Sequence, residues 1–274
     1  SKINDFINEK YKEEAQSIDN NTEYIVDQLN RLNDFDWGGS FGNSLEKNIV
    51  NNYVKKIQSF DQITEKINED LLFSLKGYTM NSWYNHWTSI LIENIFKNHN
   101  SVLPTVGLIK KIDFFINDIP FDLKVTYFPE QLLKEKLKES NYGNELTMLK
   151  RICRELQIFI PTDLKDKALK THLYKKVSED HRSIAKEFIS DLKAHKKNII
   201  LSAEKSPSDL KRWFYENQGE ARFDASNRFF LVLTDENDMI NSWKLKRNIN
   251  FLREKINDHL DNLVLSQSNL ETEF

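Results

Sequence analysis

The chain has 274 residues, enough for one large domain or a catalytic domain with a smaller module, and its 39% apolar and 12% aromatic content suits a folded core rather than disorder. Its net charge of −3 argues against a nucleic-acid binder whose whole surface is basic, while leaving room for an enzyme with a local basic groove. No apolar run approaches the roughly 20 residues of a membrane span, the stretch SKINDFINEKYKEE is too polar for a secretory signal, and the single Cys153 excludes an internal disulfide, a four-cysteine zinc site and an iron–sulfur cluster, so a cytoplasmic setting without membrane association is expected.

Residues 1–76 read as a helical N-terminal region. Gly38, Gly39 and Gly42 in DWGGSFGNS mark a loop. Asn43, followed three positions later by Glu46, resembles a capping box, and Leu45, Ile49, Tyr53 and Ile57 then recur at helical spacing. Trp83, Trp87, Leu91 and Ile95 mark a further helix closing near Asn98. From Ser101 to Phe128 the runs become short, β-branched and aromatic, which predicts strands. A charged, helical stretch follows from about 130 to 196. NIILSA (198–203) and RFFLVLT (228–234) read as buried strands, and a long helix is expected from Ser242 onward. Helices flanking a few central strands make an α/β or α+β core, occupying 77–274 with the 130–196 stretch as a helical insertion.

The segment Lys111 to Phe128 divides into two strands by alternation. Asp113, Phe115 and Asn117 share one face of the first, and Ile112, Phe114 and Ile116 the other. Asp122, Lys124 and Thr126 share a face of the second, opposite Phe121, Leu123, Val125 and Tyr127. Asn117-Asp118 suits a two-residue turn, since both types tolerate positive φ. That turn pairs Ile116 with Ile119, Phe115 with Pro120, Phe114 with Phe121 and Asp113 with Asp122. Pro120 then falls in a non-hydrogen-bonded pair, where its missing N–H costs the ladder nothing. Asp113 and Asp122 fall in another such pair, with Cβ atoms about 4.5–5.5 Å apart. Opposed carboxylates repel, and a divalent cation between them removes the conflict. Mg²⁺ takes one or two carboxylates together with waters and substrate phosphate. Lys124, on the face of Asp122, is placed to polarise a water or to stabilise charge on a phosphate.

These residues resemble the PD-(D/E)xK nuclease superfamily, to which many type II restriction endonucleases and DNA-repair nucleases belong. Asp113 resembles the first acid, Asp122-Leu123-Lys124 the D-x-K element, and Glu93 in SILIENIF the glutamate of the preceding helix. Ile112 stands where the name-giving proline would be. The likeness covers about Trp83 to Tyr127. It implies a restriction-endonuclease-like core: a helix, a three-stranded meander containing the hairpin, then helix and strand, in a central mixed sheet flanked by helices. It also implies Mg²⁺-dependent hydrolysis of a phosphodiester, with Mn²⁺ substituting. Asp113, Asp122 and the Leu123 carbonyl would hold the metal, and Glu93 would ligate it directly or through water.

His86, seven residues before Glu93 on one helical stripe, is a candidate for contact with substrate phosphate. Lys110 and Lys111 are placed to line a DNA groove. Lys244, Lys246, Arg247, Arg253 and Lys255 make the C-terminal helix locally basic and a candidate for backbone contact. In KRWFYENQGEARF the aromatics Trp213, Phe214 and Tyr215 lie among Lys211, Arg212 and Arg222, a mixture that can stack on nucleotides but more often builds core. No Walker loop, GxSxG elbow, Rossmann glycine fingerprint or HExxH motif is present.

The leading expectation is therefore an Mg²⁺-dependent endonuclease on double-stranded DNA, of type II restriction kind, working as a homodimer because cutting two strands in register favours two-fold symmetry. A structure-selective repair, recombination or phage-defence nuclease is the second reading. A non-catalytic DNA-binding module on the same fold is the third.

Overall fold

The computed structural model describes residues 2–32, 49–106, 112–140, 142–164, 166–217 and 227–263. The loop Gly38–Gly42, the capping pair Asn43 and Glu46, and Lys110 and Lys111 lie outside them. The protein is α+β, with a four-stranded mixed sheet among helices. It divides into two compact units. The first takes its described residues from Ser1–Leu123 and Lys246–Val264, the second from Lys124–Leu245, so the division falls inside one strand.

The first unit opens with helix α1 (Lys2–Asn30), which buries Tyr11, Ala15 and Leu29. A π-helical turn (Val50–Val54) and α2 (Phe60–Lys66) follow, the latter capped by the Ser59 side chain, which accepts a hydrogen bond from the Gln62 N–H. A second π-helical stretch (Ile67–Leu71) leads without a break into α3 (Leu72–Lys97). As the tryptophan and leucine spacing predicts, α3 closes near Asn98, its C-cap. It buries Tyr84, Thr88, Leu91, Ile92, Ile95 and Phe96. Thr88 returns its hydroxyl to the Tyr84 carbonyl at 2.7 Å, which satisfies a polar group that is fully buried.

Strands β1 (Val102–Pro104), β2 (Phe114–Ile116) and β3 (Ile119–Tyr127) form an antiparallel meander. Asn117 and Asp118 have φ of 50° and 63°, the paired positive values of a two-residue hairpin turn whose twist matches that of the strands. The register is the expected one: Phe114 opposite Phe121, Phe115 opposite Pro120, Ile116 opposite Ile119. Phe114, Ile116 and Phe121 are buried. Phe114 stacks on Phe96 of α3, ring centroids 5.2 Å apart and planes within 7°, and meets Phe121 at 6.3 Å. Each aromatic pair of this kind contributes about 0.5–1.5 kcal/mol beyond burial of area. This contact fixes the hairpin on α3.

In the second unit, α4 (Glu130–Glu139), α5 (Glu145–Glu155), α6 (Asp166–Ser178), α7 (Ser183–Lys205) and α8 (Pro207–Asn217) precede β4 (Asn227–Leu233). Leu149, Cys153, Leu173, Val177, Ala185 and Ile189 form one apolar cluster of α5, α6 and α7. NIILSA is not a strand but the last turns of α7. No glycine or proline separates it from the helix before it, and Ile199, Ile200 and Ala203 pack at helical spacing against Phe128, Leu133 and Leu137. RFFLVLT forms β4 as expected, and the strand order in the sheet is β1-β2-β3-β4. The expected single C-terminal helix is two: a 3₁₀ segment (Met239–Arg247) and, after Asn248, α9 (Ile249–Asp261). Trp243, Lys246 and Ile249 are all buried. No helix among the described residues is long and apolar enough to cross a membrane.

Candidate active site

The acids singled out from sequence lie where α3 and the hairpin meet. Asp113 sits immediately before β2, and its backbone is held from two sides. Its N–H donates to the Phe121 carbonyl at 2.8 Å, and its own carbonyl accepts from the Thr105 hydroxyl at 2.7 Å and the Thr105 N–H at 3.3 Å. Phe121 already stands opposite Phe114. Two residues therefore face one, which is the signature of a β-bulge. The regular pairing of Asp113 with Asp122 is thus corrected. The ladder stops at Phe114, and the bulge aims the Asp113 side chain along β3, where its Oδ2 accepts the Leu123 N–H at 2.6 Å. A bulge beside a functional group is a common way to re-aim one side chain without moving the sheet.

Burial raises the proton affinity of the Asp113 carboxyl above the ordinary aspartate value. The Leu123 N–H opposes this by stabilising the anion. The negative charges of Glu93 and Asp122 push further upward, and the Lys97 ammonium pulls back. So the fold brings the fields of Glu93, Asp113 and Asp122 to bear on one place. Glu93 is not a lone acid there. Its Oε1 lies 2.6 Å from Lys97 Nζ one helical turn on, with side chains 31% and 13% exposed, so the pair is partly shielded from water. Lys97 also lies over the Tyr11 ring, 5.8 Å from its centroid. The sequence reading missed Lys97, although a glutamate four residues before a lysine on a helix is a readable signal. Thr105 carried no such signal.

Lys124 follows Asp122 by two residues in β3 and shares its strand face; it is half-buried. The carboxylates of Asp113 and Asp122 and the Leu123 carbonyl are oxygen donors of the kind Mg²⁺ takes. The raised proton affinity of Asp113 comes first from burial, and the charges of Glu93 and Asp122 add to it. Among the described residues, no group of three or more His, Cys, Asp and Glu side chains is assembled for a metal. Glu93 is engaged by Lys97, which leaves Asp113 and Asp122 as the carboxylates in question.

The expected DNA contacts fare differently. His86 is exposed on α3, edge-on to Trp87 with ring centroids 5.3 Å apart. Lys244 lies 5.6 Å over the Trp243 ring. Lys246 and Arg247 are both engaged within the first unit. Lys246 is buried, its ammonium 2.9 Å from Asn85 Oδ1, and burial pushes its pKa down to about 8. Arg247 donates from Nη1 to the carbonyls of Leu29 and Leu32 at 2.7 and 2.6 Å, tying down the turn that follows α1, where Leu29 also accepts the Leu32 N–H at 3.3 Å. The aromatics of KRWFYEN also face inward. Phe214 is buried and stacks on Phe230 at 4.8 Å, and Tyr215 meets the same ring edge-on at 5.6 Å.

Comparison of the chain with protein-family models, curated proteins and solved structures returns no match.

Proposed function

We propose that the chain is an Mg²⁺-dependent endonuclease that hydrolyses phosphodiester bonds in double-stranded DNA, of the type II restriction kind. The observation that carries this reading is the bulge at Asp113. It presents a carboxylate of raised proton affinity to the fields of Asp122 and Glu93, and Lys124 follows Asp122 by two residues in β3. The order helix, three-stranded meander, helices, then a further strand is the order that the resemblance to the PD-(D/E)xK superfamily implies. The choice of DNA rests on that resemblance, as do the homodimer and the acceptance of Mn²⁺.

In this reading Asp113, Asp122 and the Leu123 carbonyl hold the ion, which when bound supplies a Lewis acid for the phosphate and lowers the pKa of a water. Lys124 orients that water or stabilises charge on the phosphate oxygens as it develops. The Leu123 N–H holds the Asp113 carboxylate in orientation. Lys97 holds Glu93, so Glu93 acts on the site through its field and through water.

The test is cleavage of unmodified plasmid DNA by purified protein in Mg²⁺ and in EDTA. Wild type cuts in Mg²⁺ alone, and Lys124→Ala reduces the rate by about 10²-fold or more, the scale for loss of one transition-state donor. A wild type that cuts no unmodified DNA, or a Lys124→Ala variant that cuts equally well, defeats the proposal. A fixed ladder of fragments distinguishes a sequence-selective enzyme from a structure-selective repair or defence nuclease. The non-catalytic reading has one observation in its favour, the engagement of Glu93 by Lys97. It requires DNA binding that an Asp122→Asn variant retains in full and no cleavage by any form.

A further inference from the structure

The other flank of α3 carries a second arrangement that the metal site does not use. Leu91, Ile95 and Asn98 form a stripe at helical spacing, whereas Glu93 and Lys97 lie on a different stripe. That first stripe, the loop after α3 and one face of α9 enclose a cleft of about 340 Å³ within the first unit. Leu91, Ile95 and Ile249 make its floor. The size is that of a small-molecule site, and apart from those three residues its lining is polar, from Thr22 of α1 round to Asp261 of α9.

The polar groups are arranged along α9. Arg253, Asn257 and Asp261 line the cleft at intervals of one turn, so a guanidinium stands at one end, a carboxamide in the middle and a carboxylate at the other. The helical rise separates the two ends by about 12 Å. Arg253 has no hydrogen-bond or ion-pair partner among the described residues, and the side chains of Asn98, Asn100 and Asn257 have none either. Asp261 is held at one oxygen. Its Oδ1 lies 3.2 Å from His99 Nε2, while His99 Nδ1 accepts the Ser101 N–H at 3.3 Å and lies 2.8 Å from Ser101 Oγ. With Nδ1 accepting, Nε2 carries the proton and donates to Asp261. That bond orients the carboxylate of a side chain that is 70% exposed at the edge of the cleft.

We propose that this cleft binds a nucleoside monophosphate. The phosphate pairs with the Arg253 guanidinium, whose fork of donors matches phosphate oxygens. The Asn257 carboxamide meets the sugar or base, and Asp261 accepts from the donor edge of the base, as a carboxylate does from an exocyclic amino group. The opposed charges at the two ends select a ligand that is anionic at one end and hydrogen-bond-donating at the other. The 12 Å spacing also keeps the Asp261 charge away from the phosphate. The proposal stands apart from the metal site of the nuclease reading, with which it shares no side chain; Arg253 alone was also a candidate for DNA backbone contact.

Titration calorimetry of the full chain with GMP, UMP, guanosine and inorganic phosphate tests it. GMP binds, and guanosine and phosphate bind at least about 10-fold more weakly, since each forfeits one charged or bidentate contact worth about 1.5 kcal/mol or more. Arg253→Ala weakens GMP to the level of guanosine with an unchanged circular dichroism spectrum and Tm. Asp261→Asn weakens GMP more than UMP, whose base offers no exocyclic amino donor. Three results overturn the assignment: no heat from GMP at millimolar concentration, phosphate binding as tightly as GMP, or Arg253→Ala binding GMP as wild type does. If Asp261→Asn binds GMP unchanged, the placement of the base falls.

Discussion

Replacing Asp113 by asparagine separates what the site does for activity from what it costs in stability. The asparagine keeps an oxygen that can accept the Leu123 N–H, so the bulge survives. It loses the negative charge, and with it the stronger bond that a charged acceptor makes, a difference of about 1 kcal/mol. Against this, burial no longer penalises a charge and the repulsion from Glu93 and Asp122 disappears. The raised proton affinity means that these two effects together outweigh the hydrogen bond and the attraction of Lys97. A group whose native proton affinity is raised contributes stability below its unfolded pKa, and that contribution is lost as pH rises through the native value. The ionised Asp113 thus destabilises the native state at neutral pH. The variant is expected to be more stable than wild type at pH 7 by about 0.5–2 kcal/mol, the usual range for relieving a strained functional group. For a chain of this size that is a rise in Tm of about 2–4 °C per kcal/mol. The advantage shrinks as pH falls through the raised native pKa of the wild-type carboxyl toward the ordinary aspartate value. Urea unfolding of both proteins at several pH values measures it, alongside Mg²⁺-dependent cleavage, which the variant loses. A variant that is less stable at pH 7, or whose advantage is the same at every pH, refutes the electrostatic account.

Other expectations follow from single contacts. Lys246→Met stabilises the protein at pH 7 by about 1–3 kcal/mol, because the native pKa of about 8 lies below the ordinary 10.5 and the unfolded chain holds a proton the native state resists. The advantage of the variant narrows as pH rises from 8 toward 10.5, and a constant or negative difference in urea titrations counts against burial as the cause. Phe114→Ala removes the ring stacked on Phe96 and costs about 3–5 kcal/mol in denaturant unfolding; a loss below 1 kcal/mol means the hairpin is not anchored there. Asp118→Gly relieves a φ of 63° and stabilises by about 0.5–1 kcal/mol, without a change in cleavage. A loss of stability there speaks against the two-residue turn.

The parts legible in the sequence are those decided by neighbours along the chain. Asn117-Asp118 between alternating strands set a two-residue turn, and that turn alone dictates the pairing of Ile116 with Ile119 and Phe114 with Phe121. The helical spacing from Trp83 to Ile95 sets α3 and its end. What tertiary structure decided is where local rules run out. Alternation places Asp113 opposite Asp122, but hydrogen bonds from Thr105 and to Phe121 bend the strand into a bulge. NIILSA has the composition of a strand and is helical because its apolar residues meet Phe128 and Leu133 on a helical stripe. Lys246 and Arg247 look like an outward basic face, yet one is buried beside Asn85 and the other ties down the turn after α1, more than 200 positions earlier in the chain. His99 and Asp261 are separated by 162 residues, and no local pattern announces that they meet. The physical reason is common to all four. Turn geometry and periodicity are short-range backbone effects, whereas the bulge, the helix override, the buried lysine and the histidine–aspartate pair each depend on which distant surface the element packs against.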